Sequence, residues 1–275
     1  MRVSQLYIYP IKSFAGIALS SVQLTEWGFQ YDRKWMLVDD NNRFISQREI
    51  AEMSLMKVSI VDEELRVYHS GNPADIFKMP VNASLNENIT VQIWDDNCVG
   101  TLVSKSADDW FSKKLSISCR LVRMSTNYQR LLDPRFNINN SSTAFADGFP
   151  VLLISEASLQ DLNQKATEPI PMNRFRPNLV ISDSKAFAED TMKEFLINGI
   201  HFYGVKPCAR CVITTINQDN AVQGKEPLKT LASYRNKENK IYFGENVITE
   251  STGEISIGDT VTILETKEGL FSNHQ

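Results

Sequence analysis

The feature that most constrains this chain is the shortness of its apolar runs. Val3–Tyr9, Met36–Val38, Leu65–His69, Ile89–Ile93, Arg120–Met124, Val151–Ile154, Asn178–Ile181, Val212–Ile216 and Thr260–Leu264 are bounded by turn-forming residues, and none exceeds seven residues. Runs of this length, alternating or β-branched, read as strands. Asn41-Asn42, Ser70-Gly71-Asn72-Pro73 and Gly258-Asp259 supply turn chemistry between them. Helices are fewer. Ser106-Ala107-Asp108-Asp109-Trp110-Phe111 reads as an N-cap with an acidic first turn. Ser155 caps a second helix that runs to about Gln164, with Ile154 and Leu159 at the staple positions. Pro227–Tyr234 is a third, with Pro227 in the first turn. This spacing excludes a regular parallel βαβ array. The expected fold is mainly β with a few short helices (α+β), in two lobes. The stretch from Ser125 to Ala144 is rich in Asn, Ser and Thr with little period, so it reads as a long loop at a domain junction. The units expected are 1–124 and 125–275.

A length of 275 residues with 42% hydrophobic and 23% charged residues can bury a core of useful size. The net charge of −4 argues against a general attraction to nucleic acid. The N-terminal MRVSQLYIYPIKSF is broken too early by Pro10 and Lys12 for a signal peptide, and no run reaches the roughly 18 apolar residues of a membrane span. The expected setting is the cytoplasm, without a membrane, where thiols stay reduced. Cys98 and Cys119 then read as buried bystanders.

The other two of the four cysteines are Cys208 and Cys211, in VKPCARCVIT. A structural zinc site needs two more ligands, and the three histidines, His69, His201 and His274, are not spaced to supply them. A thioredoxin-like dithiol places its first cysteine at a helix N-terminus, whereas Val212–Ile216 reads as strand. Two readings stay open on the residues alone: one soft ligand thiolate, or two reduced thiols at a strand start. Arg210 and Lys206 could hold a thiolate or an anionic cofactor.

Tyr9-Pro10-Ile11-Lys12-Ser13, Tyr31-Asp32-Arg33, Phe145-Ala146-Asp147-Gly148-Phe149-Pro150, Asn173-Arg174-Phe175-Arg176-Pro177-Asn178 and Cys208-Ala209-Arg210-Cys211 occur in this order. Together they resemble the MOSC family, the molybdenum cofactor sulfurase C-terminal domain preceded by its β-barrel partner domain. Bacterial MOSC proteins and the mitochondrial amidoxime-reducing component are similar over nearly the whole chain. The resemblance implies an N-terminal β-barrel domain and a MOSC β-barrel domain, with a molybdenum cofactor of molybdopterin type between them. It implies that Cys211 is the protein's ligand to molybdenum and the catalytic residue, with Cys208 a neighbour.

The resemblance also implies cofactor-binding roles for Lys12, Ser13, Arg33, Gly148, Phe149, Arg176, Asn178, Ala209 and Asn246. These residue types suit such roles. Lys12 is a point charge and Ser13 a hydroxyl. Arg33 and Arg176 fork two N–H groups onto phosphate or pterin oxygens. Asn178 offers donor and acceptor, and Gly148 allows close backbone approach. Plainer readings exist. Lys12 could be a solvated turn residue, Arg33 a surface partner of Asp32 or Asp39, and Arg176 to Asn178 a turn entering a strand. Arg48 matches a family segment less firmly. Where some relatives have Ser, this chain has Ala209, so a hydroxyl contact is expected to be missing.

The implied activity is reduction of a small N-hydroxylated or N-oxygenated substrate, consuming two electrons and two protons and releasing water. No cysteine follows Cys211, so no iron–sulfur cluster is expected in the chain. Electrons would come from a separate protein of ferredoxin or flavoprotein type. Pyridoxal phosphate binding goes with the family as a whole, but the length leaves no room for the desulfurase domain that uses it. Two alternatives use the same residues: a non-catalytic carrier of the cofactor, or of sulfur as a Cys211 persulfide, and a thiol–disulfide enzyme using both cysteines.

Overall fold

The computed structural model describes residues 1–138 and 140–271. It is mostly β, with several sheets, a half-barrel among them. The nine-stranded sheet runs in the order Val261–Thr266, Met192–Ile197, Ile200–Ala209, Lys240–Thr249, Val151–Ser155, Leu179–Ser182, Arg2–Ile8 and Ile17–Leu19, with Asn236–Lys237 added beside Lys240–Thr249. Its pairs are antiparallel except Val151–Ser155 with Leu179–Ser182, where Leu153 lies opposite Leu179. A parallel pair needs a crossover, which the helix Glu156–Lys165 supplies. The βαβ unit expected to be absent as an array thus occurs once.

A four-stranded sheet joins Trp35–Val38, Arg120–Met124, Asp96–Leu102 and Asn88–Ile93. A meander joins Met56–Val61, Glu64–His69 and Asn72–Pro80, and Gly253–Ser256 pairs with Ser21–Thr25 and through it Gly28–Phe29. The first strand, Arg2–Ile8, therefore belongs to a sheet built mainly from later residues, while Gly253–Ser256 reaches back to Ser21–Thr25. These two exchanges bring the N-terminal loops at Lys12 and Arg33 against the segments 145–150 and 172–178.

Four apolar clusters hold the sheets. One packs Phe14, Trp35, Met53 and Leu121 against Phe111 of the helix Lys105–Leu115, with the Phe14 and Phe111 ring centroids 5.7 Å apart. Another packs Leu162 of the crossover helix against Phe175 and Phe243, whose centroids lie 4.3 Å apart. Burying each such ring stabilises the fold by about 1.5–3 kcal/mol. Phe175 so anchored fixes the backbone just before Arg176.

Two local expectations are corrected. The first helix is capped by Ser104, not Ser106: Ser104 is extended (φ −166°, ψ 149°) and its side chain accepts from Ala107 N. The preceding strand ends at Leu102, so the chain leaves extended geometry two residues earlier than the acidic turn suggests. Ser155 does cap its helix, accepting from Ser158 N, and that helix ends at Lys165. The third helix is Leu228–Ala232, with Pro227 at its N-cap position.

The second correction matters more. Val212–Ile216 is not a strand; Val212–Thr215 is a 3₁₀ turn with Cys211 at its N-cap. Its hydroxyls fold back on the chain, Thr214 Oγ1 donating to Cys211 O (2.9 Å) and Thr215 Oγ1 to Val212 O (2.7 Å). Buried Arg174 donates from Nε to Thr214 O at 2.7 Å. Local side-chain bonds and one tertiary brace override the β propensity of the run. The strand lies upstream instead, at Ile200–Ala209, and takes in Cys208 but not Cys211.

Candidate functional site

One pocket gathers nearly all the residues singled out in the sequence. Lys12, Ser13, Arg33, Gly148, Phe149, Arg176, Asn178, Cys211 and Asn246 line it, together with Arg48, Asp147, Cys208 and Arg210. The space between these residues, open solvent included, is about 780 Å³. Ala209 is the exception: it is exposed, pairs with Tyr242 at the strand end and does not line the pocket.

The loops that build the pocket carry unusual backbone. Ser13 (φ 70°), Arg33 (φ 46°) and Arg176 (φ 55°) all adopt left-handed conformations, which L-residues take only at a cost of about 1–3 kcal/mol. Tertiary bonds hold them there. Gln47 Nε2 donates to Ser13 O at 2.6 Å, and Arg33 N donates to Tyr9 O at 2.9 Å. Arg176 Nη1 donates to Phe14 O at 2.7 Å. Both guanidiniums also lie over the buried Tyr9 ring, Arg33 at 4.4 Å and Arg176 at 4.2 Å from its centroid. Such stacking fixes two like charges close together.

Lys12 is buried, not a solvated turn residue: it is 5% exposed, and Nζ donates to Phe145 O (2.8 Å) and to Asp147 Oδ1 (2.5 Å). Burial lowers its pKa, opposed by Asp147. Arg33 does pair with Asp32, at 2.6 Å, but in the interior, since Asp32 is itself buried. Arg33 also donates to Asn178 Oδ1 at 3.0 Å. Asn178 is 1% exposed; its oxygen accepts from Arg33 and from Leu152 N, and its amide donates to Tyr7 O. It braces Arg33 and ties two strands together. Burial pushes the Arg176 pKa down to about 10, so it stays charged at neutral pH.

The two cysteines are free thiols, each held by a different arginine. Arg48 Nη2 lies 3.1 Å from Cys211 Sγ, and Arg210 Nη1 lies 3.0 Å from Cys208 Sγ. The Arg210 expected beside Cys211 therefore serves its neighbour, and the distant Arg48 takes its place. Burial raises the Cys208 pKa, opposed by Arg210. Lys206 turns away, its ammonium 4.8 Å from the centroid of Phe136 and 5.9 Å from that of Phe149. Asn246 donates to Lys206 O at 3.1 Å. Cys98 and Cys119 are buried in the core, as expected. His201 pairs with Glu194 at 2.8 Å, at the opposite end of the strand Ile200–Ala209 from Cys208; His274 lies outside the described residues.

Among the described residues Asp147 is the one carboxylate on the lining, against five cations, Lys12, Arg33, Arg48, Arg176 and Arg210, of which Arg33 is also paired with buried Asp32 behind it. Asp147 is partly exposed, and although desolvation in the pocket works against it, Lys12, Arg48 and the Trp94 indole hold its pKa well below the usual carboxylate range. Asp147 appears in the sequence inside the 145–150 motif, and only its place among cations reveals that it has a partner role. Arg210 Nε is buried without a partner. Open space faces Gly148, where a Cβ would meet nothing within 4 Å. The lining is thus short of negative charge, and its donors fit an anionic ligand such as a phosphate ester. Among the described residues, no group of three or more His, Cys, Asp or Glu could hold a metal. A metal at Cys211 would take its other ligands from a chelating cofactor.

Fold and site together define a class: a mostly β protein with a thiol on the lining of a cationic pocket. The MOSC N-terminal beta barrel domain matches residues 1–118 and the MOSC domain matches residues 140–262. The chain belongs to the MOSC family. It is 31% identical over 280 residues to the mitochondrial amidoxime-reducing component 1 of Mus musculus, covering 95% of this chain and 82% of that protein. It is 32% identical over 278 residues to the mitochondrial amidoxime reducing component 2 of Homo sapiens, covering 94% and 82%. It is 32% identical over 273 residues to the molybdenum cofactor sulfurase of Oryza sativa subsp. japonica, covering 89% of this chain but 32% of that longer protein. Among the described residues, no helix is long and apolar enough to cross a membrane.

Proposed function

We propose that this protein is a molybdenum-cofactor-dependent reductase of N-hydroxylated and N-oxygenated compounds. The observation that carries the reading is a thiol, Cys211, set 3.1 Å from a guanidinium in a pocket lined by five cations and one carboxylate. The similarity to proteins named amidoxime-reducing components supports it. The donor set fits a molybdopterin-type cofactor, whose phosphate and pterin need fixed N–H donors and whose metal needs a soft protein ligand.

When bound, that cofactor supplies the two-electron redox chemistry. The chain supplies placement and charge. Cys211 gives the protein's sulfur ligand. Lys12, Ser13, Arg33, Arg176 and Asn246 hold the phosphate and pterin, with Gly148 and Phe149 forming the wall beside them. Asn178 acts through Arg33, which it braces. Arg176 stays protonated, and ionised Asp147 keeps Lys12 and Arg48 from being three unopposed charges with it. Reduction of an N–OH group consumes two electrons and two protons and releases water. The electrons come from a separate protein of ferredoxin or flavoprotein type. The segments 1–124 and 125–275 act as two sequence units with the pocket at their junction. The setting is cytoplasmic, where both pocket cysteines stay as thiols.

Molybdenum per chain, and benzamidoxime reduction with a chemical or ferredoxin-type donor, test the reading. Cys211→Ala should lower turnover by more than about 10-fold, and lower molybdenum per chain as well. Full activity in that variant overturns the ligand. A protein that binds the cofactor but turns over no N–O compound is a carrier instead.

A further inference from the structure

We propose that Trp94 is a positioning residue: its ring fixes the Arg48 guanidinium against the Cys211 sulfur. Trp94 is the first of the two residues that turn the strand Asn88–Ile93 into Asp96–Leu102, where Ile93 pairs with Asp96. It sits at φ 55°. Glycine takes such a hairpin position at least cost, and a bulky residue there is an outlier. Trp94 is also 43% exposed, so burial of apolar surface explains its presence only in part. Its contacts supply the rest. The Arg48 guanidinium carbon lies 4.4 Å from the ring centroid, and the indole N–H donates to Asp147 Oδ1 at 3.3 Å. The ring meets Phe44 edge-on at 4.9 Å, which fixes its plane.

Arg48 needs such a support. Its charged partner Asp147 is 3.7 Å away, longer than a good hydrogen bond, and Asp147 is shared with Lys12. A long side chain with one loose ion pair would otherwise sample many rotamers. The Trp94 face removes that freedom and leaves Nη2 aimed at Cys211 Sγ. Trp94 itself does not line the pocket, so it acts through Arg48. This contact concerns the thiol whatever Cys211 binds, and so stands apart from the reductase reading.

Alkylation of Cys211 by iodoacetate and by iodoacetamide tests it. The protein is the full chain, in a Cys208→Ser background, from a host that makes no molybdopterin. The thiolate attacks the CH2 carbon of either reagent and displaces iodide, so their rate ratio reports positive charge beside the sulfur rather than the thiolate fraction. Removing one fixed charge at this range should lower the iodoacetate-to-iodoacetamide ratio by about fivefold. Arg48→Met and Trp94→Ala should each show that loss, and Trp94→Phe, which keeps the ring face, should retain most of the parent ratio. Trp94→Leu serves if Trp94→Ala fails to fold. A Trp94→Ala or Trp94→Leu ratio equal to the parent's, with Arg48→Met reduced, overturns the proposal. So does a Trp94→Phe ratio as low as that of Arg48→Met, or an Arg48→Met ratio that does not fall.

Discussion

Two clusters of charge lie on opposite faces of the strand Lys240–Thr249, and they differ in balance. Asn246 faces the pocket, where five cations meet one carboxylate. Its neighbour Glu245 faces a largely buried cluster of three carboxylates, Glu189, Asp190 and Glu245, and two cations. There Arg235 pairs with Asp190 and Lys267 with Glu245, each at 2.5 Å. Arg235 is further enclosed by Phe187 and Phe271, at 4.2 and 4.1 Å. Alternation along one strand thus separates a pocket in which cations are in excess from a buried cluster in which carboxylates are, and Glu189, Asp190 and Glu245 each keep one buried oxygen without a partner. What distinguishes the two clusters is the sign of the excess charge.

That contrast is broken or sharpened first by removing one charge from each side. Asp190→Ala strands Arg235 in the interior and should cost about 3–5 kcal/mol. Arg48→Met removes a surplus cation that is partly solvated, with its side chain 21% exposed, and should cost less than about 1 kcal/mol. Urea unfolding of both variants measures the two. Equal losses would mean that the pocket cations are structural, like those of the Glu189–Asp190–Glu245 cluster.

The carboxylate cluster should also set a pH dependence. Burial, opposed by Lys267, pushes the Glu245 pKa from its ordinary 4.5 up to about 8. Over that interval the native protein keeps a proton that the unfolded chain has released. Stability from this group therefore falls as pH climbs from about 4.5 to about 8 and levels off above. Glu245→Gln should flatten the fall by about 2 kcal/mol. Denaturant midpoints of wild type and variant at about pH 5 and about pH 9 give the comparison. A variant as pH-dependent as wild type would assign the slope to Glu189 or Asp190 instead, since burial raises both of their pKa values too.

Much of this architecture is legible in the sequence because strand period and turn chemistry act locally. Val3–Tyr9 and Ile89–Ile93 lie within a residue of strands in the structure. The pocket is legible only through order: its motifs come from segments more than a hundred residues apart, and no period joins them. What stays hidden is who pairs with whom. Nothing in VKPCARCVIT says that Arg210 serves Cys208 while Arg48 crosses 163 positions to serve Cys211. Trp94 left no sequence signal beyond a bulky residue in a turn. Val212–Ile216 misleads because its threonine hydroxyls are free to bond backward, which a β-branched count ignores.

The smallest effect expected is at Ala209, and it tests whether lining the pocket matters more than lying within the cysteine motif. Ala209 sits between Cys208 and Arg210, two lining residues, yet is exposed and turned away from the pocket. A hydroxyl added there meets solvent and the strand end beside Tyr242. Ala209→Ser should therefore change stability by less than about 0.5 kcal/mol. It should leave molybdenum per chain within about twofold, well inside the loss expected for a side chain that orients a ligand. A clear gain in metal content would show that a serine at this position reaches the ligand through a shift of the 208–211 backbone. The division drawn by the pocket lining would then have to include Ala209.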